Sequence, residues 1–357
     1  MRGTSVSRYA NLVIYYFSGT GNALKAATWI AEQARASGMT VHVLSIERAE
    51  PVPPLEGETL VGFCYPTHGF FAPWLVAKFL WAFRALPGSN VFFLNTRAGV
   101  RLWPIWLPGL SGLATWAPLL LLALRGYGPV GMLPLDPPHS WICMFPPITR
   151  WGIGKLMDRA ERITREFASA VCAGKRYFRW SVWLTLPLDL AMAPITLLYV
   201  FLGRFMLAKV LFANNSCNAC GLCVDMCPVG AIKMVGNRPY WQYTCESCMR
   251  CMNVCVRRSI ESWFTRMMAL SGALVWGVLL VYPMDLTLLS LLLCPVLFPI
   301  YWALHGAWGN RRVNAAFTAT SLTHYWGRYL APGVKKRHLP TLQDPRAQAK
   351  SAPIAAE

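Results

Sequence analysis

Over the first 175 residues, short apolar runs alternate with stretches of helical periodicity. Residues 11–17 (NLVIYYF) read as a buried strand, 22–37 as a helix closed by Gly38, and 40–46 as a second strand. A third strand is expected at 59–65, a helix at 74–85, a fourth strand at 90–95, and a helix at 110–125 ended by Gly126. A fifth strand at 129–135 and a helix at 157–173 complete the set. Continuous apolar strands alternating with helices predict an α/β fold: a parallel sheet covered on both faces.

The pattern then changes. Between Trp180 and Gly203 the only charged residue is Asp189, with Lys175, Arg176 and Arg179 before the stretch and Arg204 and Lys209 after it. From Met267 to His305 the only charged residue or histidine besides the terminal His305 is Asp285. These shifts divide the chain into a domain at 1–175, an apolar linker at 176–213, a cysteine-rich domain at 214–263, a helical hairpin at 264–308, and a basic tail at 309–357, disordered from about 332.

Composition sharpens this division. Of 357 residues, 55% are hydrophobic and 14% charged, with a mean hydropathy of +0.36. A soluble domain is about a quarter charged, so part of the chain is expected in or on a membrane. The net charge of +18 suits an anionic membrane face or nucleic acid. No zinc finger, RNA-recognition signature or basic heptad helix supports nucleic acid. The N-terminus passes from polar residues straight into a strand-like run, without a signal-peptide pattern, which predicts redox domains on the cytoplasmic side.

Eight of the twelve cysteines form two runs: Cys217, Cys220, Cys223 and Cys227-Pro228, then Cys245, Cys248, Cys251 and Cys255. Each cysteine of the first run recurs 28 positions later, and Ala231-Ile232 recurs as Ser259-Ile260. Such a repeat suggests two half-sites about a pseudo-twofold axis. Three thiolates at two-residue intervals wrap one face of a cubane, and the fourth iron needs a ligand from elsewhere. In two-cluster ferredoxins the last cysteine of each run serves the other cluster. That assigns Cys217, Cys220, Cys223 and Cys255 to one [4Fe–4S] cluster, and Cys245, Cys248, Cys251 and Cys227 to a second. Ala219 and Gly221 leave room for backbone amides to approach cluster sulfur. Zinc favours two separated Cys-x-x-Cys pairs and fits this pattern less well. Val256 stands where proline usually follows the last cysteine. Cys64, Cys143, Cys172 and Cys294 lie in apolar surroundings and read as small buried hydrophobes.

The first predicted strand runs into Ser18-Gly19-Thr20-Gly21-Asn22 and then a helix. Backbone amides and the helix N-terminus make a phosphate cradle there, with side-chain donors from Ser18, Thr20 and Asn22. The loop lacks the Gly-Lys-Ser/Thr of nucleotide-triphosphate sites and the third glycine of the dinucleotide fingerprint.

Tyr16-Phe17-Ser18-Gly19-Thr20-Gly21-Asn22 resembles the FMN phosphate loop of flavodoxins. The resemblance implies a flavodoxin-like doubly wound sheet of order 2-1-3-4-5, with FMN over the switch point between strands one and three. It also implies two flavin-flanking loops. One contains Pro66, Thr67, His68, Gly69, Phe70 and Phe71; the other contains Asn95, Thr96, Arg97, Ala98 and Gly99. Phe70, Phe71 and Trp74 are candidates for stacking on a flavin or for core packing, and His68 for a flavin hydrogen bond or a structural place. Ala23 stands where a hydroxyl residue is usual. Together with the cysteine runs, residues 1–265 resemble prokaryotic flavodoxin–ferredoxin fusion proteins. That resemblance implies a small α+β 2[4Fe–4S] domain beside the sheet.

About 20 apolar residues span a bilayer. Residues 267–282 and 286–304, parted by Pro283-Met284-Asp285, read as a transmembrane hairpin. Arg257, Arg258 and Arg266 before it, and Arg311 and Arg312 after it, place both ends in the cytoplasm. A single crossing at 182–201 would separate the two redox domains. That segment is therefore expected to be re-entrant or interfacial, bent near Pro187 and Pro194, with a buried interdomain helix as the alternative. Asp189 then either handles protons or headgroups or is simply solvated.

These features support a membrane-anchored electron-transfer protein. It would relay single electrons through two [4Fe–4S] clusters coupled to FMN, from a soluble ferredoxin or flavodoxin donor to a membrane enzyme or lipid-phase acceptor. Membrane lipids are further expected partners. Two other readings stay open: a reductase acting directly on a quinone, lipid or pigment precursor, and a non-redox membrane scaffold.

Overall fold

The computed structural model describes residues 8–48, 55–84, 89–102, 105–264 and 295–341. The chain divides into two units. One takes residues 1–139, 148–197 and 331–357, the other 140–147 and 198–330.

The first unit is built on strands β1 (Asn11–Tyr16), β2 (Thr40–Ser45), β3 (Thr59–Pro66) and β4 (Asn90–Thr96), a hairpin of β5 (Val100–Leu102) and β6 (Ile105–Leu107), and β7 (Gly128–Leu135) and β8 (Tyr177–Phe178). Six of them form one sheet of order β2-β1-β3-β4-β7-β8, and every pairing in it is parallel. The five-strand order expected from sequence is present, with β8 added at the edge. Strands buried on both faces alternate between two apolar layers. Leu12, Ile14, Leu60, Phe92 and Leu94 join α1 (Asn22–Ala36) and the long helix at Arg150–Cys172 in one cluster. On the other face Tyr15, Phe63 and Phe93 meet Phe79 of α2 (Trp74–Ala82) and neighbouring Phe83. Helix α3 (Leu113–Leu124) follows the β5–β6 hairpin. The hairpin was not expected; its strands are too short to stand out from a loop.

The helix expected at 157–173 is α4 (Arg150–Cys172), a full two turns longer at its start. Gly152 and Gly154 lower helix propensity there. Thr149 offsets this as N-cap, its side chain accepting from Gly152 N at 3.3 Å. Helices α5 (Trp180–Ala191) and α6 (Ala193–Leu198) follow, with the break at Met192, two residues before Pro194. Of the two prolines near which a bend is expected, Pro187 lies inside α5 and Pro194 in the first turn of α6.

Beyond α6 a π-helical turn (Tyr199–Gly203), α7 (Arg204–Leu207) and a 3-10 turn (Ala208–Val210) continue the run. Ala193–Val210 is long and apolar enough to cross a bilayer, by length and composition, and is the one such helix among the described residues. The second unit then contains β9 (Leu211–Ala213), α8 (Leu222–Asp225), β10 (Ile232–Val235), β11 (Arg238–Trp241), α9 (Arg250–Val254) and β12 (Ile260–Ser262). Helices α10 (Leu297–Ala307), α11 (Arg311–Ala319) and α12 (Leu322–Tyr325) complete it. The antiparallel pair β9–β12 brackets the cysteine runs, and the antiparallel pair β10–β11 lies between them in sequence.

Most of the expected transmembrane hairpin, residues 265–294, lies outside the described residues. The end of its second arm is in α10. One face of that end packs inward, with Tyr301 fully buried and its hydroxyl donating to Leu211 O at 2.8 Å, while Ile300 and Trp302 are exposed. Trp308 stacks on Phe212 at 5.0 Å, and Asn314 Nδ2 donates to Ala213 O at 2.9 Å. Residues from both sides of the apolar stretch therefore share one core.

Candidate cluster cavities and phosphate loop

The repeat in the cysteine runs extends to backbone conformation. Ala219 and Gly221 have φ of 55° and 75°; their counterparts Ser247 and Met249 have 49° and 60°. Gly230 at 61° is matched by Arg258 at 51°. Left-handed φ is costly for a residue with a Cβ, so Met249 and Arg258 hold a shape that the loop requires. These turns curl each run so that its first three cysteines face inward.

Two cavities result. One is lined by Cys217, Cys220, Cys223 and Cys255, the other by Cys227, Cys245, Cys248 and Cys251. Each draws three cysteines from one run and the fourth from the other. No three or more His, Cys, Asp or Glu side chains among the described residues gather closely enough to hold a single metal ion. The thiols surround spaces instead. Donors already aim at sulfur: Ala231 N at Cys227 Sγ (3.2 Å), Ser247 N at Cys245 Sγ (3.4 Å) and Ser259 N at Cys255 Sγ (3.4 Å). At the second cavity two further donors are buried without a hydrogen-bond partner, Ser247 Oγ and Trp241 Nε1, the latter facing the Cys251 thiol. Cluster sulfur would supply acceptors to such groups, so the residues fit. Burial, reinforced by neighbouring thiols, pushes Cys223 up to about 12 and raises Cys245 and Cys251. Metal binding takes such thiols as thiolates. Cys64, Cys143 and Cys172 are buried, as expected of small hydrophobes.

The phosphate loop turns from β1 into α1. Gly21, at φ 102°, caps α1, and its amide donates to Ser18 Oγ at 3.0 Å. No acidic residue lies in the first turn of α1, so the helix N-terminus is free to favour an anion. Ser18, Gly19, Thr20, Gly21 and Asn22 are all buried. Part of that cover comes from a stretch expected to be disordered. Ala331 N donates to Thr20 O at 2.9 Å, and a Cβ on Gly21 would lie 2.9 Å from the Val334 methyls. The loop's form fits a phosphate, and residues 331–334 lie against it.

The two loops expected to flank a flavin meet in a polar network. Thr67 N donates to Thr96 O, and His68 and Phe71 exchange backbone hydrogen bonds around Gly69 and Phe70. Asn95 Nδ2 donates to Thr67 Oγ1 (3.0 Å) and Ser111 Oγ (3.2 Å), and Asn95 Oδ1 accepts from Thr115 (3.0 Å). Gly99 pairs with Pro138, whose carbonyl also accepts from Asn22 Nδ2 at 2.8 Å. Pro66 ends β3 beside these groups. Arg97 forms a two-point ion pair with Asp136, at 2.8 and 3.1 Å, and Asp136 also accepts from Gly109 N. Sequence reasoning did not single out Asp136, Ser111 or Gly112, which carry no local motif.

Asp189 is neither solvated nor turned toward an outer surface. It is 2% exposed; its Oδ1 accepts from Gly112 N at 2.9 Å and its Oδ2 from Thr185 at 3.3 Å. Burial raises its pKa; these hydrogen bonds and Arg97 pull it back. Val182, Asp189 and Thr196 form the buried stripe of α5–α6, while Trp180, Trp183, Leu184, Leu188 and Ile195 are exposed. Polar groups face the protein and apolar ones face away from it.

Residues 212–233 match the 4Fe-4S binding domain family, which supports at least one [4Fe–4S] cluster. Curated proteins gave no match. Among solved structures, the chain is similar to flavodoxin 1 from Bacillus cereus, with 17% identity over 44% of this chain and 95% of that one, at a TM-score of 0.31. A flavodoxin from Streptococcus pneumoniae TIGR4 gives 17% identity over 45% and 99%, also at 0.31. The flavodiiron protein of Giardia intestinalis gives 12% over 49% and 39%, at 0.26. The strand order itself defines the class: a flavodoxin-like sheet joined in one chain to a ferredoxin-type iron–sulfur region, an architecture of redox and electron-transfer proteins.

Proposed function

We propose that this protein is a membrane-anchored electron carrier of the flavodoxin–ferredoxin fusion type, with two [4Fe–4S] clusters and FMN. The observation that carries the reading is the pair of cavities, each walled by three cysteines of one run and the last of the other. Thiolates of Cys217, Cys220, Cys223 and Cys255 hold one cluster, and those of Cys227, Cys245, Cys248 and Cys251 the other. Amides of Ala231, Ser247 and Ser259 donate to ligand sulfur and offset its negative charge. Ser18 to Asn22 hold the FMN phosphate, and the loops at Pro66–Gly69 and at Asn95, Thr96 and Gly99 flank its ring. FMN supplies the exchange between two-electron and one-electron chemistry. The excess of basic residues favours docking of an acidic donor such as a soluble ferredoxin or flavodoxin. Delivery is to a membrane enzyme or lipid-phase acceptor.

Membrane attachment is supported by the outward apolar side of α5–α6, its flanking Arg176, Arg179 and Arg204, and the hydropathy of residues 267–304. We place both redox domains on the cytoplasmic side. The test is iron, sulfide and flavin per chain in protein purified without oxygen, with EPR of the reduced sample. About eight irons and one FMN are expected for two cubanes and a flavin. About four irons would overturn the two-cluster reading, and eight without flavin would remove FMN from it.

A further inference from the structure

The second cavity has a neighbour that no cysteine motif announces. Lys209 is 2% exposed. Its Nζ donates to Trp241 O at 2.6 Å and to Tyr240 Oη at 3.4 Å. The rings of Tyr240, Tyr301 and Phe298 stand 4.6, 4.7 and 5.5 Å from it. Rings and a carbonyl stabilise an ammonium, but they carry no net charge. A buried cation is costly unless an anion is close. Among the described residues no carboxylate forms an ion pair with Lys209, and the titratable group that acts on it is Cys245. Burial lowers its pKa to about 8, which leaves it charged at neutral pH.

The cage is tied to the same cavity. Trp241, whose carbonyl holds Lys209, turns its unpartnered indole N–H toward Cys251. Arg250, fully buried, acts on Cys227. Glu246 beside Cys245 opposes these charges. The first cavity is built differently: the buried Arg328, on which Cys255 acts, lies 3.6 Å from the Glu261 carboxylate and is paired there.

We infer that Lys209 is the built-in counter-charge of the cluster held by Cys227, Cys245, Cys248 and Cys251, raising its reduction potential relative to the same cluster without it. The inference rests on the cluster assignment proposed above. Reduction adds one electron and no proton, so a fixed cation stabilises the reduced state, and Lys209 acts on the cluster that Cys245 ligates more than on the other.

The test uses the full chain purified without oxygen as wild type, Lys209→Met, Lys209→Gln and Lys209→Arg. Each is titrated with redox mediators and followed by EPR. Lys209→Met and Lys209→Gln are expected to move one midpoint to lower potential by about a tenfold change in the oxidised-to-reduced ratio, 59 mV for one electron. Lys209→Arg holds it near the wild-type value. Lys209→Gln keeps a donor for Trp241 O if the methionine variant does not fold. Repeating the titration with Cys220→Ser, which alters a ligand at the first cavity, identifies the midpoint that moved. Unchanged midpoints in the neutral variants, equal shifts of both midpoints, or a shift confined to the first cluster would each overturn the inference. A wild-type protein without two clusters would instead remove the assignment beneath it.

Discussion

Asp189 offers a sharp test of how the apolar helices attach to the flavodoxin-like unit. Its carboxylate receives the amide of Gly112, a residue with φ +53° where an added Cβ would lie 2.6 Å from Phe70 Cβ. The contact therefore ties α5 to the segment that closes the flavin-flanking loops. Asp189→Leu removes the acceptor and leaves the Gly112 amide buried and unpaired, a cost of about 1–3 kcal/mol. For a unit of this size each kcal/mol lowers Tm by about 2–4 °C. Asp189→Asn keeps an oxygen toward Gly112 and removes the charge. The sign of the pH effect follows from the raised pKa. The folded state holds the Asp189 proton more tightly than the unfolded chain, so this contribution is full below the ordinary carboxyl range and is lost as pH rises through the raised value. At neutral pH the buried carboxylate is a cost. Asp189→Asn is therefore expected to match or exceed wild-type stability at pH 7 and to flatten the decline from acid to neutral pH. The assay is urea unfolding of the full chain in detergent, followed by tryptophan fluorescence at pH 5 and pH 8. If Asp189→Asn were destabilised at neutral pH as much as Asp189→Leu, the charge itself would be needed and the reasoning would fail.

Cys227→Ser should damage the cluster bound with Cys245, Cys248 and Cys251 and spare the one nearer in sequence, as read by EPR; loss of the nearer cluster would refute the crossed assignment. Breaking the buried Arg97–Asp136 pair by Arg97→Gln should cost about 3–5 kcal/mol, with Asp136→Asn in addition recovering part of it, measured by a double-mutant cycle in chemical unfolding. Leu184→Lys with Leu188→Lys should leave unfolding midpoints nearly unchanged, because both side chains are exposed. The pair should nonetheless weaken quenching of tryptophan fluorescence by brominated lipids in anionic vesicles; unchanged quenching would place the membrane contact elsewhere.

The two cysteine runs, the phosphate loop and the five strands themselves were legible in the chain because each is encoded locally, whereas the order of those strands in the sheet was implied only by the resemblance to flavodoxins. Ligand spacing, a strand-to-helix turn and apolar periodicity all act within about one structural element. The left-handed turns at Ser247 and Met249 were not read from the sequence, although they occupy the repeat positions of Ala219 and Gly221. The first two turns of α4 were hidden by Gly152 and Gly154, whose low propensity is overridden by Thr149 and by packing against α1.

What only the tertiary structure decided are the pairings of polar and charged groups across long separations. Asp189 reads as a lone acid in an apolar segment, and its partner Gly112 is 77 residues away. Arg97 finds its carboxylate in Asp136, 39 residues on. Val334 reached the phosphate loop from the far end of the chain, and Lys209 closed into a cage of rings drawn from β11 and α10. Hydrophobic periodicity states which face of an element turns inward, whereas the partner of a buried polar group depends on which elements the core brings together. Desolvation makes that partner obligatory without naming it in the sequence.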